Sequence, residues 1–147
     1  MTIEVSETEA LHDDTHAREA LHRLDTAGVT LALDDFGVAY SSLRRLRDLP
    51  TTWIKIDRSF LVGVPGHPGA TKVLEAILQL LTALETRVIV EGVESAAQCE
   101  WLKERGCEAA QGWWLGRPQP AEALEPLFRA SPDSRLTGLP RSSAPRG

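Results

Sequence analysis

Two adjacent carboxylates close an apolar segment of this sequence. Asp34 and Asp35 stand between apolar residues in LALDDFG, at residues 31–37. Neighbouring carboxylates repel each other, and burying them is costly unless a cation or hydrogen-bond donors compensate for their charge. The pair therefore indicates a site that attracts a cation or a donor at the end of this segment.

Polar side chains also stand at the ends of four other apolar segments. They are Glu4, Glu7, Lys55, Asp57, Glu91, Glu94 and Gln111. Lys55 and Asp57 are two residues apart, so both are expected on one face of a strand. A single carboxylate in such a place is most often a helix cap or a solvated loop residue, and Lys55 alone can reach water. Because the pattern recurs at five segment ends, we favour a cluster of acidic oxygens around one ammonium group.

Such a cluster requires cations. Mg²⁺ and its relative Mn²⁺ suit carboxylate ligands. The histidines His12, His16, His22 and His67 lie elsewhere, on predicted helices or loops, which argues against a histidine-rich zinc site. The chemistry alone leaves two enzyme classes open. One is metal-assisted phosphoester hydrolysis with two cations, and the other is an enolase-like proton abstraction with a lysine base.

The elements that must position these residues alternate along the chain. Strand patterns occur in TIEVSE, VTLALDD, WIKID, RVIVEGVE and EAAQGWW. Helix patterns occur at about residues 15–27, in YSSLRRLRDL, at residues 69–84, in SAAQCEWLKERG and in PAEALEPLF. Ser95 and Gln98 form a capping-box pattern at the start of the fourth helix, and Gly106 ends it. The alternation predicts right-handed crossovers and a parallel sheet whose carboxyl ends carry the chemistry.

Composition sets broader limits. The chain has 147 residues, a net charge of −5 and 42% hydrophobic residues, as expected for one soluble domain. The mild acidity argues against DNA or RNA binding, and no apolar run reaches the ~18 residues of a membrane span. Cys99 and Cys107 match no metal-ligand pattern, which favours free thiols in a reducing cytoplasm. A segment rich in Ser, Pro, Arg and Gly at residues 131–147 predicts a disordered tail.

Four segments, in order, carry a resemblance to a known family. DDFGVAYSSLRRL, IKIDRSF, VIVEGVES and QGWWLGRPQPAE resemble the EAL domain family in order and spacing, and IEVSETEAL is similar to its Glu-x-Thr-Glu segment, with Ser6 in place of Thr. The resemblance runs from about Ile3 to Leu127. It implies a modified TIM barrel and a Mg²⁺- or Mn²⁺-dependent phosphodiesterase that opens the bacterial messenger cyclic di-GMP to linear pGpG. The contiguous motifs argue against the enolase-like alternative.

The resemblance implies a role for each residue of the motifs. Glu4 and Asp34 match metal ligands, and Asp34 is placed to serve both of two cations. Asp35 matches a ligand of the second metal or of its water. Lys55 matches the lysine that orients the attacking water and offsets negative charge, and Glu91 matches the glutamate that helps to hold and deprotonate that water.

Three further residues match supporting positions. Gln111 matches a glutamine near the water and the phosphate. Glu7 matches the glutamate that anchors the loop after DDFG, and Glu94 is a supporting residue in the same region. These three, with the five residues above, are the candidate site residues of the chain.

The sequence also departs from the family pattern. Ala39 replaces a usual glycine, and loop flexibility is expected to differ because alanine tolerates positive φ less well. Trp113 and Trp114 stand where the family often has one aromatic residue, and we expect both to pack at the strand end. The family's Glu-Ala-Leu tripeptide with its metal-binding glutamate, a metal-binding asparagine and a substrate-binding arginine are expected upstream of Met1, outside this sequence.

Five strands do not close a barrel, since a (β/α)₈ barrel typically needs ~250 residues. We therefore expect an α/β fold, a partial TIM-like barrel left open within this chain, with residues 1–130 as a truncated EAL domain. The first and last strands are expected to expose edges that favour a homo-oligomer or a partner. We expect weakened metal binding and impaired hydrolysis. Two alternatives are a non-catalytic module that binds cyclic di-GMP or a protein, and a gene fragment without function of its own.

Overall fold

The computed structural model describes residues 1–10, 15–38, 43–120 and 122–123. The strands are β1 (Thr2–Ser6), β2 (Thr30–Phe36), β3 (Trp53–Ile56), β4 (Arg87–Val90) and β5 (Ala109–Ala110). The α-helices are α1 (Glu7–Ala10), α2 (Thr15–Thr26), α3 (Leu43–Arg47), α4 (Pro68–Ala83) and α5 (Ala96–Glu104), and a 3-10 helix spans Arg58–Leu61. All five predicted strands are present, but β4 and β5 are shorter than the predicted RVIVEGVE and EAAQGWW, and α1 and the 3-10 helix were not predicted.

Capping residues explain where the longer helices begin. His67 precedes α4, and its Nδ1 accepts a hydrogen bond from the Ala70 N–H at 3.1 Å, while Pro68 occupies the first turn, where no intrahelical donor is needed. Ser95 precedes α5, and its Oγ accepts a hydrogen bond from the Gln98 N–H at 3.3 Å. The capping pattern therefore predicted the start of α5 correctly.

Some predictions fall outside the described residues. Of the predicted helix PAEALEPLF, the structure describes only positions 120, 122 and 123, and the predicted tail at residues 131–147 and Ala39 lie entirely outside. The division into a domain at residues 1–130 and a tail therefore stays a prediction.

The sheet is parallel, and its strand order β1-β2-β3-β4-β5 is the order in the sequence. Right-handed crossovers that always advance in one direction put the helices on one face, as in the wall of a (β/α) barrel. A doubly wound sheet would instead reverse direction at a switch point. β1 and β5 are the edges of this five-stranded sheet, which confirms a partial TIM-like barrel that stays open over the residues that the structure describes.

The two faces of the sheet differ in chemistry, because paired residues of adjacent strands share a face. The helix-covered face is apolar: Leu31, Leu33, Ile54, Ile56 and Val90 are at most 1% exposed and belong to one core with Leu74, Leu81 and Leu102 of the helices. Burial of such a side chain contributes roughly 1.5–3 kcal/mol. The opposite, inner face carries Glu4, Asp34 and Lys55. Within the described residues, every helix is too short or too polar to span a bilayer.

Candidate active site

Lys55 is the centre of the polar cluster on the inner face. Its Nζ lies 2.8 Å from Asp34 Oδ1, 2.9 Å from Glu91 Oε1 and 3.1 Å from Glu4 Oε2. Its side chain is only 8% exposed, whereas those of Glu4, Asp34 and Glu91 are 53%, 28% and 16% exposed. Four strands therefore meet at one ammonium group, since β1, β2 and β3 carry three of these residues and Glu91 directly follows β4.

The charge of Lys55 is stabilised by these carboxylates. Burial alone would lower the pKa of Lys55, but hydrogen bonds to Asp34, Glu91 and Glu4 outweigh it and raise the pKa above the usual lysine range. The side chain is therefore protonated at neutral pH. A protonated lysine is suited to orienting anions and offsetting their charge, and it is poorly suited to abstracting a proton, as the enolase-like alternative would require.

Asp34 and Asp35 are brought together by an irregular strand end. On a regular strand, two adjacent side chains point to opposite faces. Here the pairing of β2 with β3 shifts between Leu33 and Phe36, and Asp35 has a φ of 56°. The Asp35 N–H donates a hydrogen bond to Asp34 Oδ1 at 3.1 Å. Aspartate tolerates this left-handed conformation better than most residues do, so the bulge lets both carboxylates serve one site.

Three carboxylates form a candidate ligand set for a metal ion. Oxygen atoms of Asp34, Asp35 and Glu91 all lie within 4.8 Å of one another. This donor set consists only of carboxylate oxygens, which fits a hard divalent cation such as Mg²⁺ or Mn²⁺. Glu4 is not in this group of three, and it reaches the cluster through its ion pair with Lys55.

Gln111 lies beside Glu91. Its Nε2 donates a hydrogen bond to Glu91 Oε1. Its backbone is held on both sides, because its N–H donates to the Val90 carbonyl at 2.9 Å and its carbonyl accepts from the Val93 N–H at 3.0 Å. The predicted proximity of Gln111 to the acidic cluster is thus present in the structure.

Glu7 occupies a different position, at the start of α1 beneath the loop after β2. Its side chain is buried, with the residue 2% exposed, and Oε2 accepts a hydrogen bond from the Gly37 N–H at 3.0 Å. Gly37 has a φ of 97°, and a Cβ there would overlap the ring of Phe60. This hydrogen bond connects α1 to Gly37, the first residue after DDF.

Three residues lie where the sequence did not place them. Asp57 follows β3 and caps the 3-10 helix, since its Oδ1 accepts a hydrogen bond from the Ser59 N–H at 2.9 Å. The prediction that Trp113 and Trp114 pack at the strand end is wrong, because they are 67% and 50% exposed. They lie in a turn after β5, and the Arg117 guanidinium lies 4.8 Å from the Trp113 ring centre.

Glu94 is also outside the cluster. It is exposed, and its N–H donates a hydrogen bond to Gln98 Oε1 at 2.9 Å. Sequence reasoning identified Gln98 only as a helix cap, and it missed the glycines that let the loops pack closely. A Cβ on Gly92 would overlap Arg58, and a Cβ on Gly112 would overlap the backbone of Val93. The signal for these glycines was their position beside motif residues.

Comparison with known proteins connects this geometry to a family. The model of the EAL domain matches residues 1–118. The chain is 38% identical to the cyclic di-GMP phosphodiesterase NbdA of Pseudomonas aeruginosa over 130 residues, which cover 88% of this chain and 17% of that protein. It is 40% identical to the cyclic di-GMP phosphodiesterase RocR of the same organism over 119 residues, which cover 81% of this chain and 30% of that protein.

Solved structures show the same relationship. The MucR phosphodiesterase in complex with c-di-GMP superposes with a TM-score of 0.77 at 40% identity, over 84% of this chain and 50% of that one. The EAL domain of Mycobacterium smegmatis DcpA superposes with a TM-score of 0.81 at 33% identity, over 88% of this chain and 58% of that one. The chain thus spans between half and three-fifths of these two structures.

Proposed function

Because this chain belongs to the EAL domain family, we propose that its inner-face cluster binds divalent cations and cyclic di-GMP and contributes to hydrolysis of the phosphodiester. The observation that carries the proposal is the arrangement of one buried ammonium, Lys55, among three carboxylates, beside Asp35 and Gln111. Cyclic di-GMP is the ligand named for the MucR structure, and cyclic di-GMP phosphodiesterase is the name of NbdA and RocR.

In this mechanism, Asp34, Asp35 and Glu91 would hold Mg²⁺ or Mn²⁺, which would supply a Lewis acid for the phosphate and a more acidic water. Glu91 uses Oε1 for both Lys55 and Gln111. Its Oε2 is the oxygen that we assign to the cation, which would place Glu91 beside the attacking water. Lys55 keeps its proton, holds Asp34 and Glu91 in place and offsets the negative charge that develops on the phosphate.

We further propose that the 147-residue chain alone hydrolyses cyclic di-GMP weakly. The five strands in the described part of the chain leave the barrel wall open, and the family resemblance implies metal ligands beyond those in the printed sequence. A site with part of its ligands loses affinity and the alignment that catalysis requires. A partner or a second copy that covers the open edges at β1 and β5 is part of this proposal.

The test measures binding and turnover separately. Isothermal titration calorimetry with Mn²⁺ and cyclic di-GMP reports binding, and chromatography of the nucleotides reports pGpG. We expect measurable binding that Asp34→Asn weakens at least tenfold, with slow turnover. Asp48→Asn is the matched control, since Asp48 is exposed and its side chain pairs with that of the neighbouring Arg47.

Each outcome separates the hypotheses. Turnover at the rate of an intact family member would contradict the proposed impairment. Binding of cyclic di-GMP with no turnover would favour the non-catalytic binding module. Equal loss in Asp34→Asn and Asp48→Asn, or no Mn²⁺ binding by the unaltered chain, would contradict the proposed site.

A further inference from the structure

Gln98, in the first turn of α5, connects two loops beside the site. Its Oε1 accepts a hydrogen bond from the Glu94 N–H at 2.9 Å, and its Nε2 donates to the Leu61 carbonyl oxygen at 3.2 Å. Leu61 ends the 3-10 helix after β3, and Glu94 lies in the loop after β4. We propose that Gln98 is a positioning residue, which holds the loop that begins at Glu91 against the segment that follows Lys55.

The contacts of Gln98 differ from those of an ordinary helix cap. In a capping box, this side chain accepts a hydrogen bond from the N–H of the capping residue, here Ser95. The Gln98 side chain instead reaches past Ser95 to Glu94 and Leu61. Capping requires only an acceptor, and a glutamate would serve at least as well at a helix N-terminus. Only the contact with Leu61 requires the amide donor.

The two loops that Gln98 joins are closely packed. Gly92 has a φ of 75°, and a Cβ on it would overlap the Cβ of Arg58 in the 3-10 helix. Leu61 is 1% exposed and Val93 is 0% exposed. A small shift of either loop would therefore be transmitted to the other, since neither has space in which to relax.

The hydrogen bonds of Gln98 affect the position of Glu91 because the rest of this loop is already held by the segment that contains Gln111 and Trp114. The Val93 N–H donates to the Gln111 carbonyl at 3.0 Å, and the Trp114 N–H donates to the Val93 carbonyl at 3.0 Å. Towards β3, the Glu91 N–H donates to the Ile56 carbonyl at 3.0 Å. Besides that bond and the contact of Lys55 with Glu91 at 2.9 Å, Gln98 adds a side-chain link between this loop and the segment after β3.

Two substitutions separate positioning from capping. Gln98→Glu keeps an acceptor for the Glu94 N–H and removes the donor to Leu61, whereas Gln98→Leu removes both. Gln79→Glu, on the exposed surface of α4, is the control for the change of charge. The readout is amide hydrogen exchange of the 147-residue chain without metal, resolved by residue.

In Gln98→Glu we expect the amides at residues 58–62 and 91–93 to exchange roughly three- to tenfold faster, the range that one net hydrogen bond represents. The Glu94 amide and α5 should stay protected, and Gln98→Leu should also release the Glu94 amide. If Gln98 only caps α5, amide exchange in both loops should be unchanged in Gln98→Glu. Unchanged exchange in both loops, or an equal increase at every amide, would overturn the proposal.

A second readout rests on the proposed function. Calorimetry should show Mn²⁺ binding roughly three- to tenfold weaker in Gln98→Glu than in Gln79→Glu. Faster loop exchange with unchanged Mn²⁺ affinity would overturn the positioning of Glu91. If the unaltered chain binds no Mn²⁺, the proposed function fails, and exchange of the amides at residues 91–93 decides the Gln98 proposal by itself.

Discussion

Ion pairs lie at both ends of the sheet, and the two ends differ in burial. At the carboxyl end, the Lys55 side chain is 8% exposed and contacts three carboxylates. At the amino end, Arg87 pairs with Glu108 at 2.8 Å, and both side chains are more than half exposed. The Arg87 guanidinium also lies 3.9 Å from the ring centre of Trp53.

This difference shows that ion-pair distance alone does not identify a site. The Arg87 pair is balanced in charge and solvated, so it is a surface feature worth about 0–1 kcal/mol. The Lys55 cluster has more carboxylates than cations and is shielded from water on the lysine side. Its remaining negative charge is what a divalent cation would neutralise.

Replacing Lys55 should have a much larger effect on stability than replacing either member of the Arg87 pair. Lys55→Met leaves Glu4, Asp34 and Glu91 facing one another without their cation. Loss of one partner from a buried charge cluster costs about 3–5 kcal/mol, and the partial exposure of these carboxylates reduces this to about 2–3 kcal/mol. Urea unfolding at pH 7 without divalent ions measures the change. A loss below about 1 kcal/mol would place the cluster in the same class as the Arg87 pair.

A glycine at each end of the sheet gives the next comparison. Gly92 and Gly106 have φ values of 75° and 70°, but a Cβ on Gly92 would overlap Arg58, whereas a Cβ on Gly106 would contact nothing within 4 Å. Gly106→Ala should cost about 1–2 kcal/mol for the backbone conformation alone. Gly92→Ala should cost about 1 kcal/mol more than Gly106→Ala, from overpacking. Equal losses in thermal or urea unfolding would argue against close packing beside the site.

Asp57 tests whether a polar residue at the carboxyl end is structural. Its partial burial would raise the pKa, but hydrogen bonds from the Ser59 side chain and backbone outweigh this and lower the pKa of Asp57. A lowered pKa gives stability that is present above the usual aspartate pKa of about 3.9 and is lost as the pH falls through the folded value. Asp57→Ala should cost about 1 kcal/mol at pH 7.

The difference in free energy of unfolding between the unaltered protein and Asp57→Ala should shrink as the pH is lowered. Urea unfolding of both proteins from pH 7 to pH 3 measures this, and a difference that stays constant over that range would contradict a charged cap. Mn²⁺ affinity should be unchanged in Asp57→Ala, because its carboxylate caps the 3-10 helix outside the set of Asp34, Asp35 and Glu91.

The sequence predicted the alternation of strands and helices, the open barrel and the gathering of polar residues at strand ends. It succeeded because period-two and helical patterns are local, and because parallel strands bring their carboxyl ends to one edge. The capping pattern at Ser95 likewise located the start of α5.

Features that depend on contacts between distant segments were not predictable. The Asp34–Asp35 arrangement needs a bulge that the residue types do not specify, and Asp57 could not be distinguished from a site residue by its spacing from Lys55. The hydrogen bond from Gln98 to Leu61 could not be predicted because Leu61 lies 37 residues earlier in the sequence. The exposure of Trp113 was missed because aromatic residues near strands are usually packed.

The amino end provides the smallest expected effect. Arg87→Met removes the ion pair with Glu108 but keeps an apolar side chain over Trp53, so the loss of stability should be below about 1 kcal/mol and should shrink further in 1 M salt. Glu108→Gln, which removes the charge from the other partner, should give a similar small loss. Urea unfolding with and without salt measures both. A loss as large as that of Lys55→Met would mean that the exposed ion pair contributes as much to stability as the buried one. Burial of one ammonium among three carboxylates would then not distinguish the two ends of the sheet.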